Sequence, residues 1–193
     1  MGYLYSFYSS YSPYSPYSFD SFTPSKKEIN MTPHKSSGGA GVKPLECVSP
    51  RKAKWRIRWD ITEKGDGTAE WTEQDFDHKP TAEEIRQTIT DHINAKAEEA
   101  ILTGFTYEGA PVWLSQDNQR NYLSALTLAM QTQGATLPVT FKFGTDATPV
   151  YRTFSTLSAL AAFCSSMVAH IQGVLARAWS AKDAIDPASF ITA

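Results

Sequence analysis

The sequence has few cysteines, little charge of either sign and no long uninterrupted apolar run. Two cysteines occur in 193 residues, Cys47 and Cys164, in segments of different character. With no CxxC pair and no Cys/His cluster, neither a disulfide framework nor a zinc site is indicated, and synthesis in a reducing cytoplasm is the simplest expectation. The formal charge is -2. That balance lacks the basic excess by which nucleic-acid binders displace counterions, and it gives no electrostatic reason to dock on an anionic membrane. We therefore expect no nucleic-acid or membrane partner. The N-terminus has no basic region, and Ser or Pro interrupts each of its apolar stretches, unlike a signal peptide. No run of apolar residues reaches the roughly 18–20 needed to cross a bilayer.

What is present divides the chain into zones. Residues 1–30 are rich in Tyr, Ser and Pro, with Tyr-Ser-Pro repeated across Tyr11–Ser18. Almost no branched aliphatics accompany the rings, so this arm has no core of its own. It reads either as a disordered leader, as sequence upstream of a start at Met31, or as a tail that folds onto a partner. Residues 31–53 read as a flexible linker, because Ser36-Ser37-Gly38-Gly39-Ala40-Gly41 is flexible by composition. It is not a phosphate loop, since Val42-Lys43-Pro44 follows where Gly-Lys-Ser/Thr and a helix would be required. Residues 54–186 read as one α+β domain, and 187–193 as a tail.

Within that domain, Trp55, Ile57, Trp59 and Ile61 alternate with Lys54, Arg56, Arg58 and Asp60. This predicts a strand with one buried and one wet face. Lys64-Gly65-Asp66-Gly67 predicts a turn, and 68–74 the returning strand. Thr81 and Glu84 form a capping box ahead of a helix whose stripe is Ile85, Ile89, Ile93, Ala97 and Ile101, and Gly104 fits a left-handed helix end. A hairpin is predicted from Phe105–Tyr107 and Val112–Leu114 around the turn Glu108-Gly109-Ala110-Pro111. Ser115 then caps a helix burying Tyr122, Leu126, Ala129 and Met130. Val139, Phe141 and Phe143 pair with Val150–Phe154 in a further hairpin. A last helix, about 155–182, carries Leu157, Leu160, Cys164, Met167, Ile171, Val174 and Ala178, with Ala161, Val168 and Leu175 as a third row. Its width favours core packing over a two-row coiled coil, with oligomerisation through this helix as the other use. The predicted order is ββ-α-ββ-α-ββ-α, antiparallel hairpins alternating with three helices.

Candidate chemistry is sparse. Asp75, Asp77 and His78 offer two carboxylates and an imidazole just before a proline-led helix, where acids also suit a solvated turn. Glu70 or Glu73 would have to join them in a cleft to build a hydrolytic or metal site. His92 and His170 lie on helices, without the nucleophile and orienting group that a general base needs. Ser115 with Asp117, and the pair Glu83-Glu84, are explained by capping and the helix dipole. Lys52, Lys54, Arg56 and Arg58 beside Trp55 and Trp59 suggest a single-strand binder, but alternation puts rings and most cations on opposite faces. No catalytic, cofactor-binding or metal-binding residue is assigned, and no cofactor is expected.

Three stretches together carry a resemblance. They are Ile101-Leu102-Thr103-Gly104-Phe105-Thr106-Tyr107-Glu108-Gly109, then Val112-Trp113-Leu114-Ser115 with Asn118-Gln119-Arg120-Asn121-Tyr122, and finally Ala178-Trp179-Ser180-Ala181-Lys182-Asp183-Ala184-Ile185-Asp186. In this order, over about 75–186, they resemble an uncharacterised small domain family. Its members recur in tail and virion-structure gene regions of bacteriophages and prophages. Trp-Arg-Ile at 55–57 and Pro-Val-Thr-Phe-Lys-Phe-Gly-Thr at 138–145 resemble its forms in gut Bacteroidota and their phages. The resemblance implies a non-enzymatic, virion-associated structural protein, made in the host cytoplasm and acting through contacts with other phage proteins. It equally admits a tail-fibre assembly chaperone or adaptor that leaves before maturation, and, less readily, a cell-wall hydrolase. The family brings no catalytic residues to carry over.

Overall fold

A computed structural model of the chain describes residues 32–191. The expectations for residues 1–30 and for the last two residues lie outside the described residues. The elements run β1 (His34–Gly39), β2 (Leu45–Ser49), β3 (Lys54–Glu63), β4 (Thr68–Phe76), α1 (Ala82–Thr103), β5 (Thr106–Tyr107), β6 (Ala110–Pro111), α2 (Gln116–Gln131), β7 (Val139–Gly144), β8 (Pro149–Phe154), α3 (Leu157–Asp183) and α4 (Ala188–Ile191). This is an α+β fold of antiparallel strands and helices with a long helix near the C-terminus, as the hydrophobic periods predict. Two strands precede the predicted order and one short helix follows it.

The supposed linker is the first difference. β1 pairs antiparallel with β4, and β2 with β3, giving a four-stranded sheet of order β1-β4-β3-β2. One of the glycines that suggest flexibility, Gly38, serves close approach instead. A Cβ on Gly38 would sit 3.0 Å from the Trp71 ring, so only a bare backbone lets the ring lie there. The second difference is the tail. Asp186 accepts from the Ala188 amide at 3.0 Å through its side chain and from the Ser189 hydroxyl at 2.7 Å through its carbonyl. This starts α4, which buries Phe190 against Ile57, Trp59, Ile85 and Ile89. The aromatic ring finds apolar surface there that water would otherwise wet.

That set, with Leu45, Phe76, Ile93 and Ile185 at its edge, is the smaller of two cores. The larger is aromatic and gathers around Phe163 of α3, which is fully buried. Six rings approach it with centroids 5.0 to 6.3 Å away: Phe105, Tyr107, Tyr122, Phe141, Phe143 and Phe154. The α3 stripe is therefore widened on the Phe163 side. Val168, in the expected third row, is exposed. On α2, Tyr122 and Ala129 are buried as predicted, but Met130 is 61% exposed. At roughly 100° per residue it lies about 80° around the helix from Tyr122.

From Leu157 to Ala176, α3 carries no Asp, Glu, Lys or Arg. By length and composition it is apolar enough to cross a membrane, contrary to the expectation from runs alone, because alanine and serine fill its gaps. In this fold its Leu160, Phe163, Cys164 and Met167 row lies in the aromatic core.

Local signals place the ends of the elements. Thr81 and Glu84 make the predicted capping box, and Ser115 and Thr156 cap α2 and α3. Glu108 and Gly109 both take positive φ, 48° and 78°, as a two-residue hairpin turn requires. Gly104 is not left-handed. Its φ is -86°, and it is glycine because a Cβ would stand 2.5 Å from the Ala100 carbonyl oxygen.

Candidate functional site

Each candidate from the sequence has a definite place. Asp75 is held by Arg56, whose Nη2 donates to Oδ2 at 3.1 Å. That hydrogen bond keeps the Asp75 carboxyl below its ordinary range. Glu73 is 4% exposed and accepts from Trp71 Nε1 at 2.6 Å and from Arg58 Nε at 3.3 Å. Burial pushes its carboxyl up, but Trp71, Arg56 and Arg58 together outweigh burial and hold it low. Glu70 pairs with Lys64 at the hairpin end. Asp77 and Glu84 bracket His78 at 2.8 Å each, all exposed. The five groups thus fall into three sets, Asp75 with Glu73 on Arg56, Asp77 with His78, and Glu70 with Lys64, and no hydrogen bond or ion pair among the described residues joins one set to another. Among the described residues no three His, Cys, Asp or Glu side chains are placed to hold a metal.

The basic strand also differs from its prediction. Its outward face is wet only in part: Asp60 is exposed, Lys54 and Arg56 are half-buried and Arg58 is buried, with Arg56 and Arg58 spent on Asp75, Glu73 and Glu46. Arg58 also lies 5.6 Å from the centre of the Trp71 ring, a cation–π arrangement. Trp59 is buried on the other face beside Ile57. A bulge between Trp59 and Thr62, with Asp60 at φ 53°, ends the simple alternation.

Both helical histidines touch core. His170 Nε2 is 3.0 Å from the Ala100 carbonyl, with its ring 5.4 Å from Phe105. His92 meets Trp59 edge to face at 5.5 Å. Cys164 is buried, which raises its thiol pKa, and its Sγ lies 3.7 Å from the Tyr122 carbonyl. Ser115 caps α2 and is tied to Asn118, not to a base.

The motif stretches do come together, at a cleft that composition could not reveal. It has a volume of about 540 Å³ and lies between α1, α3 and the start of α2. Leu102 and Leu114 line it from the hairpin side, and Ile171, Leu175 and Trp179 from α3. Lys182 lines it too and donates to Asn94 Oδ1 at 3.0 Å, tying the end of α3 to α1. Asn118 Nδ2 and Gln119 Nε2 donate to the Trp113 and Leu114 carbonyls at 2.8 and 2.7 Å, fixing the loop that forms one wall. Trp179 is 53% exposed and Trp113, beside Leu114, is 52% exposed. Of these two rings, Trp179 lines the cleft and stands half in water at its edge. The signal in the sequence was the motif spacing, not any titratable cluster.

The class this defines is a non-parallel α+β domain whose second half is built on an aromatic core and a long helix. Residues 84–193 match the family described as a domain of unknown function, DUF4376. The chain belongs to that family. No curated protein and no solved structure matches it.

Proposed function

We propose that this protein is a non-catalytic, virion-associated bacteriophage protein of the tail that acts through protein–protein contacts. The observation that carries the contact reading is Trp179, half exposed over an apolar cleft lined by the motif residues Leu102, Leu114 and Lys182. Tryptophan is among the residues most enriched at energetic centres of interfaces, because one rigid ring buries much area at little entropic cost. The phage setting rests on the resemblance of those same motifs. Copies of the chain would meet, if they do, along the outer face of α3, where Ala162, Ser166 and Ala169 are exposed and uncharged.

Mass spectrometry of purified particles from an induced host tests this. The chain is expected in the particles, and Trp179→Ala is expected to reduce its incorporation without lowering its thermal stability. Absence from particles and from assembly intermediates would sink the proposal. Recovery with a tail protein from lysate, but not in mature particles, would assign the assembly-chaperone role instead.

A further inference from the structure

A second groove, of about 480 Å³, lies on the opposite side of the α1–α3 contact, between those helices and the sheet. Ala97 and Ala178 border both hollows. Its floor is apolar, with Ile93, Ala97, Val174 and Ala178. Its charged rim is Lys35 from β1, Lys96 from α1 and Arg177 from α3, against one acid, Asp60. Lys35 and Arg177 have no ion-pair partner among the described residues, and Lys96 has only an exposed Glu99 at 3.5 Å. Three cations from three separate elements face one hollow in a chain whose net charge is negative.

His92 lines the same groove and senses its field. Its pKa is lowered first by burial, then by Lys96 and Lys35, with Asp60 opposing. Lys96 and Lys35 disfavour the imidazolium and Asp60 favours it, so the charges on this rim all act on one ring.

We infer that this groove binds an acidic peptide segment of a partner protein, its carboxylates on Lys35, Lys96 and Arg177 and a small apolar side chain on the alanine-rich floor. A free inorganic anion would leave that floor unused, since Ile93, Val174 and the alanines offer it no side-chain donor. A nucleic-acid strand would want aromatic platforms, and His92 is the only ring lining the groove. Acidic-motif recognition by clustered cations with an apolar seat is an established mode of peptide binding. The site is separate from the Trp179 cleft, so failure of either reading leaves the other standing.

The test uses the full chain and a short fluorescein-labelled peptide alternating glutamate and leucine. Anisotropy should show binding that weakens as salt rises. The double variant Lys96→Glu/Arg177→Glu should retain its circular dichroism and bind on the order of tenfold more weakly. In the unmodified protein the peptide should raise the pKa of His92, followed by NMR, and leave His78 unmoved. The inference is overturned if a lysine–leucine peptide or a single-stranded oligonucleotide binds equally well. It is also overturned if the charge-reversed variant binds like the parent, or if the His92 titration does not move.

Discussion

The sheet and the aromatic half of this domain are held by different physics. Around Phe163, rings pack on rings and almost no charge enters. On the outer face of the sheet, Glu73 and Arg58 are as well buried as core residues, and Trp71 lies between charged partners and Gly38. The aromatic half depends on filled volume, which neither salt nor pH alters directly. The sheet face depends on every charge keeping its partner, since a buried carboxylate or guanidinium left alone costs several kcal/mol. The family match, 84–193, covers the aromatic core entire but only one side of the sheet core: Ile85, Ile89, Ile93, Ile185 and Phe190 lie inside it, Ile57 and Trp59 outside. The half that the family match covers and the charged half are thus joined through α1 and α4.

The largest effect is expected at Phe163. Phe163→Ala should cost about 4 kcal/mol, in the range for large aromatic truncations in a core. It should also flatten the near-ultraviolet signal of the surrounding rings. A denaturant midpoint close to the parent's would show that the ring cluster is not the centre of this half. Next is Glu73→Gln, expected to cost roughly 3 kcal/mol by taking from the buried Arg58 the better buried of its two anions, Glu46 being the other, and from Arg56 one of its two. Because Glu73 and Asp75 titrate below the ordinary carboxylate range, their contribution is present above that range and lost as pH falls through the lowered values. The parent should therefore lose stability in acid more steeply than the Gln variant. Equal acid limbs would break the contrast between the halves.

Truncation after Asp186 removes α4 and its Phe190. A loss of about 1.5–3 kcal/mol is expected, the transfer value of one large apolar side chain. Tryptophan fluorescence should report it through Trp59, which shares that core. The smallest effect concerns His78. Its pKa is raised by hydrogen bonds to Asp77 and then Glu84. The stability it adds is full below its ordinary value and is lost as pH rises through the raised one. The difference in melting temperature between parent and His78→Ala should shrink from about pH 6 to about pH 8, within the small range of exposed ion pairs. A difference that grows with pH would refute a stabilising role for the bonds of His78 to Asp77 and Glu84. Glu84, lowered to about 2 chiefly by its bonds to Thr81, keeps its charge throughout that window.

Much was legible in the sequence where the determinant is local. The capping box at Thr81 and the cap at Ser115 depend on neighbours a few residues away, and each formed where expected, whereas the hairpin closes after Gly109, so that Ala110–Pro111, read as turn, is its second strand in place of Val112–Leu114. The stripes of α1 and α3 were legible because a helical period survives any tertiary setting. Phe163 went unread because a ring beside the apolar seam is ambiguous until something packs on it. Gly38 was misread because glycine signals freedom and close approach with the same letter. The candidate cleft was legible only as a spacing of motifs, since its walls come from three helices.

The sequence by itself determined β3, β4, β7, β8 and the three long helices, the caps at Thr81 and Ser115, and the main apolar stripes of α1 and α3, because hydrogen bonds and side-chain periodicity act over a few residues. Only the tertiary structure decided that residues 34–49 are strands, that Phe190 returns to the sheet, that the basic strand spends its charge on Glu73 and Asp75, and that Trp179 and Arg177 border separate hollows. Those outcomes depend on surfaces distant in sequence meeting, and on whether burial of a ring or a charge is matched by the partner it meets.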